Sequence, residues 1–344
     1  MFDINTLLRE NIRNLKPYSS ARDEYTGAEA VFLDANENPF NAPYNRYPDP
    51  YQREVKEKIS KIKNIDAGQI FLGNGSDEPI DLLIRAFCEP GQDNIVTIDP
   101  TYGMYQVAAD INNIEVKKVL LNEDFSLNAE AILEASTEKT KMVFVCSPNN
   151  PTGNVLNKNA IIQLANNFNG IVVVDEAYID FAPEKSLLPG LNEFPNIVIL
   201  QTFSKAWGMA GIRLGMAFAS PEIITVLSKI KYPYNINILT QEKALELLER
   251  EDEKVDWVKT LIAEKEKLIS KLETLPFVIG IYPSDANFLL IKVHDPKGIY
   301  DFLVEEKVIV RDRSTVALCE GCLRITVGSP EENKALLESL NRLI

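Results

Sequence analysis

Short, unbroken apolar runs recur through the middle of the chain, separated by longer stretches with apolar residues at helical spacing. Ile70-Phe71-Leu72, Ile95-Val96-Thr97-Ile98, Met142-Val143-Phe144-Val145, Ile171-Val172-Val173-Val174 and Ile197-Val198-Ile199-Leu200 are rich in β-branched residues. Runs that do not alternate with polar residues are what strands covered on both faces require. Between them, Glu78 to Phe87 and Asn159 to Asn167 carry helical patterns. This alternation predicts an α/β fold with a largely parallel sheet flanked by helices. Ligands of such a sheet gather at the carboxyl ends of its strands.

The pattern changes near Thr240. Residues 242–275 are dense in Glu, Lys and Leu with no strand-like run, which predicts one or two long helices with a solvated charged face. Three short strand patterns follow, at 287–293, 308–310 and 323–327, with helical stretches between them, as in a small α+β domain. The opening residues are irregular and contain Pro and Asn. At 344 residues the chain exceeds the size at which a single core stops growing. The expected division is an arm with part of the small domain (residues 1–45), a large domain (46–245) and a small C-terminal domain (246–344).

A hydrophobic fraction of 45% and a charged fraction of 25% are ordinary for a globular enzyme. The formal net charge of −14 disfavours nucleic-acid or anionic-membrane partners, although local arginines can still set the field inside a cleft. Met1 to Asn5 carries no basic, apolar leader pattern, and no apolar run is long enough to span a bilayer, so a cytoplasmic location is expected. The 4 cysteines include Cys319-x-x-Cys322, read here as reduced thiols rather than a metal or redox site. His294 is the only histidine, which argues against Ser-His-Asp, Cys-His and multi-histidine metal chemistry. Proton transfer then falls to lysine, tyrosine or carboxylate.

Lys205 lies just past the apolar run ending at Leu200, with Thr202 and Ser204 before it and Arg213 after it. A lysine beside hydroxyls and an arginine suits pyridoxal phosphate, whose aldehyde takes the amine and whose phosphate takes the other groups. Other strand ends are also chemically loaded. Gly73-Asn74-Gly75-Ser76-Asp77-Glu78 opens a helix, where backbone N–H groups can bind phosphate, although Asp77 and Glu78 are also ordinary first-turn acids. Asn150 sits in Cys146-Ser147-Pro148-Asn149-Asn150-Pro151-Thr152-Gly153, a rigid turn that can present its amide to a phenolic oxygen. Asp175 ends an all-apolar strand and calls for a cationic partner such as a protonated pyridine nitrogen; Tyr178 follows three residues later. Tyr102 can stack on a planar ring or simply fill the core.

These segments resemble the fold-type I pyridoxal phosphate enzymes of the aspartate aminotransferase superfamily. Within it, Asn36-Glu37-Asn38-Pro39, Arg46-Tyr47-Pro48-Asp49-Pro50, Pro100-Thr101-Tyr102-Gly103-Met104-Tyr105 and Leu323-Arg324-Ile325-Thr326-Val327-Gly328 are similar to the histidinol-phosphate aminotransferase group. Trp207-Gly208-Met209 departs from the usual residues after the lysine. The resemblance implies that Lys205 bonds the cofactor and shuttles protons, that Asp175 pairs with the ring nitrogen, and that Asn150 and Tyr178 hydrogen-bond the phenolic oxygen. It further implies that Tyr102 stacks on the ring and that Ser76, Asp77, Thr202, Ser204 and Arg213 hold the phosphate. Tyr47 would reach across from the second subunit of a homodimer. Arg324 would bind the substrate carboxylate, Arg311 and Tyr18 the substrate phosphate, and Asn36 would also contact substrate. The implied substrates are L-histidinol phosphate and 2-oxoglutarate, in histidine biosynthesis. An aromatic-amino-acid aminotransferase and a threonine-phosphate decarboxylase share nearly all these cofactor residues; a cofactor-sensing DNA-binding regulator would need a further domain and a basic surface.

Overall fold

The computed structural model describes residues 3–18 and 30–344; residues 1–2 and 19–29, part of the expected arm, lie outside them. The larger of its two sheets contains β1 (Ile70–Asn74), β2 (Asn94–Asp99), β3 (Glu115–Leu120), β4 (Thr140–Cys146), β5 (Ile171–Asp175), β6 (Ile197–Thr202) and β7 (Leu214–Phe218). Their spatial order is β1-β7-β6-β5-β4-β2-β3. β2, β3, β4, β5 and β6 pair in parallel, while β7 is antiparallel to both of its neighbours, β1 and β6. β1 therefore points the same way as β6. The ends of β1, β2, β4, β5 and β6 and the start of β7 all meet at one edge of the sheet.

The unbroken apolar runs feed two cores at once. Ile171 and Val173 of β5 join one cluster and Val172 and Val174 the other; Met142 and Phe144 of β4 likewise oppose Val143 and Val145. This is the alternation of a strand with helices on both faces. Helices Asp77–Phe87, Met104–Ile111 and Pro221–Ile230 cover one face through residues such as Ile80, Ala109 and Ile223. Helices Arg53–Lys63, Lys158–Asn167 and Ile238–Leu248 cover the other through Ile59, Leu164 and Leu248. The described N-terminal residues lean on the first face. Ile4, Leu8 and Ile12 pack there, and Arg9 N donates to Ala86 O at 3.1 Å.

The 22-residue helix Glu251–Leu272 leads to the second sheet, ordered β10-β11-β9-β8. Its strands are β8 (Val278–Ile281), β9 (Phe288–Val293), β10 (Arg311–Asp312) and β11 (Cys322–Thr326). Leu268, Leu272, Leu289, Ile291, Leu323, Ile325, Leu336 and Leu340 form its core. The strand expected at 308–310 is displaced to Arg311–Asp312, because Val308 N donates to Leu303 O at 2.8 Å and so closes the preceding helix. β3, β7 and β8 carried no unbroken apolar run. β3 is an edge strand with Lys117 and Lys118 in it, and Gly215 interrupts β7. Among the described residues, no helix is long and apolar enough to cross a membrane.

Candidate active site

A pocket of about 160 Å³ opens at the edge where the strands of the large sheet end. Ser76, Asp77, Tyr102, Asn150, Asp175, Tyr178, Thr202, Ser204, Lys205 and Arg213 all line it. They come from the ends of five strands and the start of a sixth, so the topology rather than proximity in sequence assembles them.

Lys205 follows β6, and its side chain is exposed to the open pocket, where its amine is partly desolvated. Its Nζ lies 5.3 Å from the Tyr178 ring centroid. Burial, followed by the charge of Arg324, holds its pKa below the ordinary lysine value. A neutral amine is the form that attacks an aldehyde or takes a proton from carbon.

Asp175 closes β5 at 2% exposure. Each carboxylate oxygen has one protein donor: Tyr105 Oη donates to Oδ2 at 2.6 Å and Ala177 N to Oδ1 at 3.1 Å. Among the described residues, no cation forms a salt bridge with it. Burial drives its pKa up to about 6, against the lowering effect of Tyr105 and Ala177. A buried carboxylate with two neutral donors fits a ligand that brings its own cationic N–H.

The opposite end of the pocket suits a phosphate. Thr202 Oγ1 donates to Ser204 Oγ at 3.1 Å, and Arg213 Nη1 donates to the same Ser204 oxygen at 3.4 Å. Gly75 has φ +71°, and its N donates to Arg213 O at 2.9 Å. Gly215 makes this closeness feasible: a Cβ there would lie 2.3 Å from Gly75 C and Ser76 N. Gly215→Ala is therefore expected to displace the loop, lowering stability by about 1–3 kcal/mol and weakening binding of a phosphorylated ligand. Thermal melting and cofactor titration read the two effects.

The side chain of Asp77 turns toward neighbouring protein groups. Tyr102 Oη donates to its Oδ1 at 3.2 Å, and its Oδ2 pairs with Arg213 at 3.6 Å. The carboxylate is thus engaged by protein groups on both oxygens. Tyr102 meets Tyr105 edge-on at 5.6 Å between centroids. The second sheet closes the remaining side. Arg324 on β11 donates through Nη1 to Asn150 Oδ1 and lies over the Phe288 ring, and Phe288 in turn meets Tyr178 edge-on at 5.1 Å.

Five residues expected at the site do not line this pocket: Arg324, which reaches it through Asn150, and four that stand further off. Tyr47 stacks on Tyr234 at 4.4 Å between centroids and is half-exposed. Tyr18 is 73% exposed, in a surface hollow with Tyr51 and Tyr232. Asn36 is exposed with φ 55°. Arg311, also exposed, lies opposite Arg324 across the β10–β11 ladder. Conversely, Cys146, Ala177 and Ala210 line the pocket without having been singled out, and Tyr105 stands directly behind it. The only signal for Tyr105 is its spacing of one helical turn from Tyr102. Cys319 and Cys322 are buried, and burial pushes their thiols up to about 12 and about 11, which leaves little thiolate for redox or metal chemistry.

Residues 24–340 match the family model for aminotransferase class I and II. A histidinol-phosphate aminotransferase of Parabacteroides distasonis is 58% identical over 343 residues, covering 100% of this chain and 99% of the relative. Among solved structures, the histidinol-phosphate aminotransferase of Clostridium acetobutylicum has a TM-score of 0.80 at 24% identity, with 87% of this chain and 91% of that one covered. The Sinorhizobium meliloti histidinol-phosphate aminotransferase in complex with pyridoxal-5'-phosphate also has a TM-score of 0.80, at 22% identity, with 90% of each chain covered.

Proposed function

The chain belongs to the class I and II aminotransferases, and from that premise we propose that it transfers the amino group of L-histidinol phosphate to 2-oxoglutarate. The products are imidazole-acetol phosphate and L-glutamate, and the step belongs to histidine biosynthesis. The observation that carries this reading is the 58% identity, over the length of both chains, with a relative of that activity. A fold-level likeness alone would leave the substrate open.

The cofactor is pyridoxal phosphate. When bound, it supplies an aldehyde that captures the amino group and a ring that takes up the electron pair of the cleaved C–H bond. The residues present fit it, because a buried carboxylate that has no salt bridge among the described residues and a cradle of Thr202, Ser204 and Arg213 line one pocket with Lys205. Asp175 would hold a cationic ring N–H. Thr202, Ser204, Arg213 and backbone at Ser76 and Asp77 would hold the phosphate, Asn150 and Tyr178 the phenolic oxygen, and Tyr102 the ring face. Lys205 Nζ, whose pKa desolvation and the charge of Arg324 lower, takes the proton from the amine-bearing carbon of the substrate and returns it on the other side of the transfer.

Arg324 supplies a planar fork for the carboxylate of 2-oxoglutarate, with N–H groups to spare beyond the one it gives Asn150. Arg311, Tyr18 and Asn36 are assigned to the substrate's polar end, and Tyr47 to the pocket of a second subunit. The exposed Val31, Leu33, Phe40 and Tyr44 near Tyr47 support a homodimer in which this segment is covered. The two sheets with their separate cores support the division into an arm (1–45), a large domain (46–245) and a small domain (246–344).

Steady-state kinetics with histidinol phosphate and phenylalanine test the substrate. A preference of about 10²-fold in kcat/KM for histidinol phosphate is expected, since phenylalanine lacks the phosphate and two hydrogen bonds to a charged group, at about 1.5 kcal/mol each, amount to that factor. A preference for phenylalanine, or carbon dioxide release from threonine phosphate, would overturn it.

A further inference from the structure

Tyr105 has no exposed surface, yet it carries a hydroxyl into the apolar layer between the large sheet and its helices. Its ring stacks on Phe144 at 4.9 Å and meets Tyr102 edge-on. A phenylalanine would fill that space equally well, so packing does not account for the hydroxyl, and a buried hydroxyl is costly without a partner. Its partner is one oxygen of the carboxylate that closes β5.

We infer that Tyr105 is a positioning residue for Asp175: its hydroxyl fixes the direction of the carboxylate and keeps it anionic, ready for a cationic ring N–H. This rests on the reading of Asp175 as the ring-nitrogen partner. With Tyr105 on Oδ2 and Ala177 N on Oδ1, rotation of the carboxylate would break both bonds, and the remaining lone pairs are left for the ligand. The groups that act on Asp175 are few. Tyr105 and Ala177 favour the anion by hydrogen bonding, Lys205 favours it weakly by charge, and Asp77 opposes it. The Cys146 thiol, beside both Tyr105 and Asp175, stays protonated because burial pushes its pKa up. The hydroxyl is also a poor acid, since burial and Asp175 raise its own pKa well above the usual value, so it remains a donor throughout the working range.

The test uses the purified chain with and without pyridoxal phosphate. Removing the donor raises the pKa of Asp175 beyond about 6. The folded form of cofactor-free Tyr105→Phe then holds its extra proton to higher pH, and the fall in stability with rising pH extends further upward than in the parent. Affinity for pyridoxal phosphate is expected to drop about tenfold or more, the worth of a hydrogen bond to a charged group. In an Asp175→Asn background the same substitution is expected to change neither quantity. Equal effects in both backgrounds, or no shift of the pH profile in the parent background, would overturn the inference. If Tyr105→Phe does not fold, Tyr105→3-fluorotyrosine keeps ring and hydroxyl but donates more strongly; it is expected to move the profile to lower pH, and an unmoved profile overturns the inference. A parent that fails to bind pyridoxal phosphate would sink the cofactor reading alone, because the cofactor-free titration reports the Tyr105–Asp175 bond independently.

Discussion

Lys205→Ala is expected to lower the rate of amino transfer by about 10⁴-fold or more, the largest effect of any single substitution in the pocket. Positioned proton transfer alone contributes up to about 10⁴-fold, and the same amine is also the covalent anchor. No other side chain can take over. Guanidinium groups such as those of Arg213 and Arg324 do not serve as bases, and the carboxylates of Asp77 and Asp175 are tied to Tyr102, Arg213, Tyr105 and Ala177. Because burial and Arg324 lower the pKa of Lys205, it is neutral at lower pH than a free lysine and needs no separate base. Borohydride reduction of the loaded parent followed by peptide mass mapping is expected to place the cofactor on Lys205, with no adduct in the variant. The variant is expected to retain weak cofactor binding through Asp175, Thr202, Ser204 and Arg213. An adduct on a different lysine, or turnover within about tenfold of the parent, would refute the assignment.

Asp175→Asn is expected to act in opposite directions on activity and on the stability of the cofactor-free protein. Activity should fall by about 10²–10³-fold, the range seen when one preorganised electrostatic partner is removed. Stability follows from the sign of the shift. A carboxyl that titrates near 3.9 when unfolded and at about 6 when folded favours folding fully below pH 4, and that contribution is lost as pH rises through 6. Two units correspond to about 3 kcal/mol held against the folded parent at pH 7. Asparagine carries no charge to bury, so urea unfolding of the two cofactor-free proteins should show a difference in the variant's favour at pH 7 that shrinks toward pH 4. A parent that is the more stable at pH 7 would mean that the buried carboxylate has a cation not evident in this structure. Such a conflict between stability and activity is common where a site holds a charge for its ligand.

The chemistry of the pocket was legible because it is written at strand ends. Lys205, Asp175, Asn150 and the Gly75-Ser76-Asp77 turn each follow an apolar run, and a parallel sheet aligns those ends on one edge. The position of Arg213 was less obvious. It reaches the site because β7 reverses direction and starts where the others finish, and Gly215 hid that strand from the apolar pattern. Tyr105 showed nothing in sequence beyond a helical step from Tyr102, since a buried tyrosine with an acid for a partner reads the same as one filling a core. The second sheet was half legible. Arg324 lay in a plain strand pattern, whereas the start of β10 depended on where the preceding helix released its last carbonyl.

By itself, then, the order of apolar runs and the residues that interrupt them determined the class of fold and that Lys205, Asp175, Thr202 and Ser204 gather at one edge of the sheet, because burial on both faces and strand direction act locally along the chain. Only the folded chain decided which groups oppose one another. That Asp175 has two neutral donors and, among the described residues, no salt bridge, that Arg324 reaches Asn150, and that Tyr18 and Tyr47 stand away from the pocket depend on residues far apart in sequence, brought together by packing.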